Sequence, residues 1–284
     1  MIQKFSFSIQ NRNNITSLLI YLFLIVFTVI LIYPFIWMAL SSLKSSREIF
    51  LSPFSLPKKL RISNYFEAWK RCSFGVALRN SALVSAASVL PIVFFSSLAA
   101  YPIARMKFPG RLFILIFLII GHMIPLQVVM IPLAIELKNL HLMSTLLGLI
   151  LPLIAKGIPL TLIVLVGFFQ DIPLEIEDAA KIDGCSEFGI FWKIILPLSK
   201  PALSAALIFQ IMFTWNEFLL PLVVIRRREV MTIPLAVQAF TGQDFVEWEY
   251  RFAALTLAII PIVVAYFLFQ RQFVRGLTFG ALKE

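Results

Sequence analysis

Long apolar runs separated by short polar segments organise this chain. Six stand out, roughly Leu18–Leu40, Ser81–Arg105, Leu112–Ile135, Leu146–Phe169, Ala202–Ile225 and Phe252–Phe269. Each is close to the about 20 residues a helix needs to cross the hydrocarbon of a bilayer. The runs are continuous and do not alternate, so they predict helices and not the ten-residue alternating strands of a membrane barrel. Lipid offers no partners to backbone N–H and C=O groups, and a helical bundle satisfies them internally. The expectation is an all-α membrane protein with six transmembrane helices. Prolines inside the runs (Pro34, Pro91, Pro102, Pro125, Pro132, Pro152, Pro159, Pro221 and Pro261) predict kinks that neighbouring helices accommodate. Between the first two runs, residues 41–80 contain Pro53, Pro57 and Trp69 and predict short amphipathic helices on the outer surface. The segment 226–251 is shorter and polar, and no separate soluble domain fits.

Composition agrees with this pattern. The 284 residues are 60% apolar and 14% charged, with a mean hydropathy of +0.92, far from the balance of soluble domains. The net charge of +10 would suggest nucleic acid in a soluble chain. Here the basic residues lie in the loops, where anionic lipid headgroups are the simpler partner and no nucleic acid is implied. Six spans put both termini on one side. That side carries 11 Lys and Arg and the other 13, with Lys156 inside a run, so the positive-inside rule does not orient the chain. Residues 1–17 are polar and mildly basic. The run after them is too long for a signal peptide and lacks a small-residue cleavage site, so it reads as the first span. Cys72 with Cys185, and His122 with His141, are too few for a disulfide framework or a metal site. No Gly-x-x-x-x-Gly-Lys phosphate loop is present, so any ATP would be bound by another chain.

One segment does not suit lipid. Residues 174–197 hold 5 of the 15 acids: Glu175, Glu177, Asp178, Asp183 and Glu187. Asp171 before Ile172-Pro173 predicts a cap and an early-turn proline, and Leu174 to Ile182 a short helix with acids at its positive end. Gly184 sits where a helix ends in a left-handed turn. Ser186 can cap a second helix, which Pro197 closes. Phe188, Phe191, Trp192 and Ile195 give that helix one apolar face. The expected product is a helix-turn-helix lying along the membrane surface with a small, acidic tip.

Asp178-Ala179-Ala180, Gly184 and Ile194-x-Leu196-Pro197 resemble the coupling loop of ABC importer permeases, with Asp178 where the family usually has Glu. Asn80-Ser81, Leu98 to Arg105 and Phe213 to Pro221 resemble the second and fifth spans of sugar-importer permeases. Gly276 to Lys283 resembles the tail of the subunit related to the smaller maltose-transporter permease. The resemblance implies a type I ABC importer permease fold with a cytoplasmic coupling helix-turn-helix over 171–197. It divides the chain into an N-terminal segment (1–78: first span and extracellular loop) and a permease domain (79–284). It implies a second permease subunit, an ATP-binding subunit dimer that holds ATP and Mg, and an extracellular or periplasmic solute-binding protein. It places the chain in a bacterial or archaeal cytoplasmic membrane, multi-pass, with both termini cytoplasmic. Glu177, Asp178, Ala179, Ala180, Asp183, Gly184, Ile194, Leu196 and Pro197 are then the ATPase-coupling residues, and Gly276, Thr278 and Gly280 the tail toward the ATPase.

Polar residues within spans are costly and usually functional. Gln210, Thr214 and Glu217 recur at i, i+4 and i+7, with Phe213 on the same face. They suit a sugar, which needs hydrogen bonds and a ring to stack on; interhelical hydrogen bonding is the competing reading. Lys156, Gln127 and His122 read as structural. A stand-alone ion-coupled carrier would need a charged relay, and Glu217 is the single carboxylate well inside a run. A scaffold or an enzyme is the third class, but no nucleophile–base set or metal cluster appears in the spans.

Overall fold

The computed structural model describes residues 14–242 and 247–281, and its described residues are helices and turns. In chain order the helices are α1 (Asn14–Ser41), α2 (Ser46–Leu51), α3 (Ser63–Arg71), α4 (Phe74–Arg105), α5 (Arg111–Met123), α6 (Leu126–Asn139), α7 (Leu147–Gln170) and α8 (Leu174–Ile182). They continue with α9 (Glu187–Ile190), a π-turn over Phe191–Ile195, α10 (Leu196–Leu198), α11 (Lys200–Trp215), α12 (Leu219–Val224), α13 (Ile233–Thr241) and α14 (Trp248–Ala281). α1, α4, α7 and α14 are long and apolar enough to cross a membrane. Two further crossings arise if each bent pair counts as one span: α5 with α6, and Glu187–Leu198 with α11.

Described residues within Met1–Ala68 and Phe245–Thr256 form one compact unit, and those within Trp69–Asp244 and Leu257–Glu284 form the other. In the first unit, Ser45 and Glu48 close a capping box on α2, which stabilises a helix too short to persist alone. Lys44 is fully buried, and its ammonium donates to the carbonyls of Ser52 and Pro53 at 3.1 and 3.0 Å. Asn64 donates to the carbonyls of Ser42 and Lys44. The predicted short helices between the first two spans are therefore α2 and α3, tied down by buried polar contacts.

The second unit is built on α4, which packs along α7 and against α11. α4 starts at Phe74, seven residues before the predicted Ser81. Asn80 and Ser81 look like a boundary in sequence, but both are buried. Asn80 donates to the carbonyls of Glu229 and Met231, and the Ser81 hydroxyl accepts from the N–H of Ile233. The predicted third span, Leu112–Ile135, is not one rod. α5 and α6 meet at 93° across Ile124 and Pro125, because a proline holds the residue before it extended (Ile124 φ −69, ψ 119). The predicted fifth span, Ala202–Ile225, breaks over residues 216–218.

At the start of α7, Gly148 lies against the chain before it. A Cβ there would sit 2.3 Å from the backbone carbonyl oxygen of Leu142. Gly148→Ala should therefore destabilise the unit by about 1–3 kcal/mol, read as a lower thermal midpoint of the detergent-solubilised protein. Gly167→Ala, with open space around the glycine, is the control expected to leave the midpoint unchanged or raise it.

Candidate functional site

Two groups of residues in the second unit carry chemistry. The first is the acidic segment. α8 runs from Leu174 to Ile182 and ends as predicted at Gly184, whose φ of +81 lies in the left-handed region that glycine occupies without steric conflict. Ser186 caps α9 by accepting from the N–H of Gly189 at 3.2 Å. Two local expectations differ. Asp171 is helical and ends α7, and the residue preceding α8 is Pro173, so Asp171 does not cap it. Pro197 does not close the second helix, which runs on to Leu198. The π-turn over Phe191–Ile195 shifts the hydrogen-bond register just before the proline, with Leu196 N–H donating to Phe191 O.

The segment has two faces. Inward, Ile172, Ala180, Ile190, Phe191 and Ile195 join Ala100, Tyr101 and Ile103 of α4 in one buried cluster, with Ile194 and Leu196 packed against it. Outward, Asp178, Ala179, Asp183 and Gly184 are exposed, and Ile182 is 86% exposed. Glu177 and Ala180, grouped in sequence with the partner-facing residues, lie on the inner face. Glu177 is buried because it faces Arg105, the last residue of α4. Arg105 Nε is 2.5 Å from Glu177 Oε1, with side-chain exposures of 5% and 4%. Arg105 Nη2 also donates to the carbonyl of Ile172 at 2.5 Å. One turn earlier, the Tyr101 hydroxyl donates to Glu187 Oε2 at 2.9 Å, and Glu187 Oε1 pairs with Lys181 Nζ at 2.9 Å.

The Lys181 ammonium, followed by the Tyr101 hydroxyl, holds the Glu187 carboxyl below its ordinary 4.5, although partial burial opposes this. Glu187 in turn raises Lys181 above its ordinary 10.5. A depressed carboxyl contributes stability above its unfolded pKa and loses it as pH falls through its folded one. A raised ammonium contributes below its unfolded pKa and loses it as pH rises through its folded one. Hydrogen-exchange protection of α8 and α9 should thus be flat between those limits and fall in acid. Glu187→Gln should make that fall in acid smaller.

The second group sits in the wall of a mostly apolar cavity of about 250 Å³, where His122, Lys156, Gln210, Thr214 and Glu217 join Phe213, Leu153, Gly157 and Leu160. The cavity shares His122, Lys156 and Glu217 with a larger hollow of about 1070 Å³ against α5 and α6. The structure thus brings together the four residues read from the i, i+4, i+7 pattern, though by a different geometry. Glu217 lies in the break after α11 and not on a continuous helix. Its Oε1 accepts from the N–H groups of Leu219 and Leu220, which begin α12, and its Oε2 pairs with Lys156 Nζ at 2.6 Å. Gln210 is buried and donates to Gly157 O and Thr161 Oγ1, which is the interhelical bonding weighed in sequence. Phe213 presents an exposed ring. The partnership of Lys156 was missed: in sequence it stands 61 residues from Glu217, and no local pattern links them. Among the described residues, no group of His, Cys, Asp and Glu is arranged to hold a metal ion. Gly276, Thr278 and Gly280 fall on the helical backbone of α14; their side chains lie outside what is described.

Comparison with known proteins places these features in context. Residues 92–279 match the family described as "Binding-protein-dependent transport system inner membrane component". The chain is 32% identical over 262 residues to the diacetylchitobiose uptake system permease protein NgcG of Streptomyces coelicolor, covering 92% of this chain and 87% of that one. It is 32% identical over 266 residues to the arabinooligosaccharides transport system permease protein AraQ of Bacillus subtilis, covering 92% and 94%. A chain in the crystal structure of a bacterial ABC transporter that imports the acidic polysaccharide alginate superposes with a TM-score of 0.80 at 20% identity, covering 93% of this chain and 99% of that one. That likeness is one of fold.

Proposed function

The chain belongs to the family of binding-protein-dependent transport system inner membrane components, and from that premise we propose that it admits a short oligosaccharide, sugar or related polyol across the membrane. It is the permease subunit of an ATP-driven importer. ATP and Mg belong to a separate ATPase subunit, a second permease completes the transmembrane pathway, and an external binding protein delivers the solute. The carbohydrate assignment is supported by relatives whose names specify diacetylchitobiose and arabinooligosaccharides. The exposed ring of Phe213, on the wall of the cavity beside Thr214, supports it too.

In this reading the crossings are α1, α4, α5 with α6, α7, α11 with α12, and α14. Residues 171–198 and both termini face the cytoplasm. The observation that carries the reading is the two-faced segment: an inner side locked to the bundle, and an outer tip of Asp178, Ala179, Ile182, Asp183 and Gly184 offered to a soluble partner. Ile194, Leu196 and Pro197 set the second helix against the bundle, and Gly276, Thr278 and Gly280 extend toward the ATPase dimer.

Gentle extraction from the native membrane followed by mass spectrometry tests this. Recovery with a second permease, an ATPase and a solute-binding protein is expected, and uptake should survive a protonophore as long as ATP is supplied. Recovery alone, with uptake stopped by the protonophore at constant ATP, would establish the ion-coupled carrier instead.

A further inference from the structure

The end of α4 does more than support the coupling segment. Arg105 lays its guanidinium across the entrance to α8, with Nη2 donating to the carbonyl of Ile172 and Nε in close ionic contact with the carboxylate of Glu177, without the alignment of a hydrogen bond. It therefore grips both the residue before Pro173 and the first turn after it. Tyr101, one turn back on the same face, holds Glu187 at the start of α9, and Glu187 holds Lys181 at the end of α8. Both helices of the hairpin are fixed to consecutive turns of one long helix, and the Tyr101 ring packs on Phe191, with centroids 5.4 Å apart. The apolar cluster holds these elements together by packing, and the buried ion pair adds a directional contact whose proposed use here is to fix register.

The other end of the connection lies farther along α4. Ile92 is 13 residues before Arg105, or about 20 Å along the helix. Its side chain fills the space beside Gly157 of α7, where a Cβ would come within 2.5 Å of Ile92 Cδ1. The hydroxyl of Ser96 donates to the carbonyl of Ile158 at 3.2 Å. Gly157 accepts from Gln210 and adjoins Lys156, the partner of Glu217. One continuous helix, with Pro102 inside this stretch, thus touches the coupling hairpin at Tyr101 and Arg105 and the cavity wall at Ile92.

Resting on the importer reading above, we infer that Arg105 and Tyr101 are positioning residues that make the coupling hairpin a rigid extension of α4, so that movement of the tip is delivered through Ile92 and Gly157 to the cavity that holds the solute. Their loss uncouples ATP hydrolysis from the opening and closing of that cavity without preventing the ATPase from docking, because the docking tip itself is untouched.

The test uses the complete importer in proteoliposomes, with both permeases, the ATPase dimer and the binding protein. Cys72 and Cys185 are replaced by alanine, and Leu160, which lines the cavity, is replaced by cysteine. A membrane-impermeant maleimide is added outside with and without ATP and vanadate, so no knowledge of the solute is needed. With the clamp intact, trapping should change labelling by about tenfold. In Glu177→Gln and Arg105→Gln the ATPase should remain bound and hydrolysing while most of that change disappears. Arg105→Lys, which keeps the charge beside Glu177 but not the planar guanidinium that reaches the carbonyl of Ile172, should restore part of it. Tyr101→Phe, which removes one hydroxyl and leaves the packing, should show a smaller loss and covers the case in which a charge variant fails to insert. Full retention of the labelling change in Glu177→Gln and Arg105→Gln overturns the inference. So does loss of ATPase binding together with the change, since the residues would then serve assembly only. An unaltered complex that hydrolyses ATP with no labelling change would instead remove the importer reading itself.

Discussion

Asp178→Arg should insert and fold normally and yet abolish ATP-driven uptake. Asp178 is exposed on α8 and contributes nothing to the buried cluster, so the cost to the fold is about 0.5 kcal/mol, plus a few tenths from placing a cation near the helix N-terminus. If the partner surface complements this acidic tip, reversing the charge replaces attraction with a repulsion of several kcal/mol, enough to remove binding at ordinary subunit concentrations. Gly184→Asp should give the same phenotype by another route. The glycine has open space where a Cβ would point, so the fold loses about 1 kcal/mol from the left-handed backbone, while the exposed tip gains bulk and a charge. Membrane content, thermal midpoint, copurification of the ATPase and uptake separate these effects. Normal uptake in both variants would remove the tip from the coupling mechanism.

A second large effect is expected at Glu217. Its carboxylate caps α12 with one oxygen and holds Lys156 with the other. Glu217→Leu deletes both functions and leaves an ammonium facing a cavity within the span. Lys156 is 45% exposed on its side chain, so water in the cavity screens part of the penalty. The expected destabilisation is about 2 kcal/mol, mostly from the lost cap. Uptake should fall by far more than stability does. Glu217→Gln separates the roles, because its amide oxygen can still accept from Leu219 and Leu220 and the fold should hold to about 1 kcal/mol. An uptake loss of about tenfold at near-native stability would place the charge of Glu217 in solute handling. Unchanged uptake in Glu217→Gln with collapse in Glu217→Leu would make it a helix cap and nothing more.

Much of the protein was legible along the chain because lipid imposes a one-dimensional rule. A helix must satisfy its own backbone and present hydrocarbon outward, so apolar run length alone located α1, α4, α7 and α14. The hairpin at 174–198 was legible for a related reason: acids, a cap at Ser186 and a helix-ending Gly184 are local signals, and each acts within one turn. Pro125 was also visible, but its consequence was not. Whether a proline kinks a span gently or turns it through 93° depends on what packs against either side.

What the sequence by itself determined was therefore the membrane helices, the surface hairpin and, through its motifs, the kind of transport system. What the tertiary structure decided was partnership. Glu177 and Asp178 are neighbours with the same charge, and only the position of Arg105, 72 residues before Glu177, makes one a buried anchor and leaves the other at the tip. Lys156 read as structural with no partner named, and the break after α11 carries Glu217 to it. Local patterns are set by the geometry of a single helix turn. Ion pairs between helices depend on how those helices cross, and no spacing along the chain encodes that.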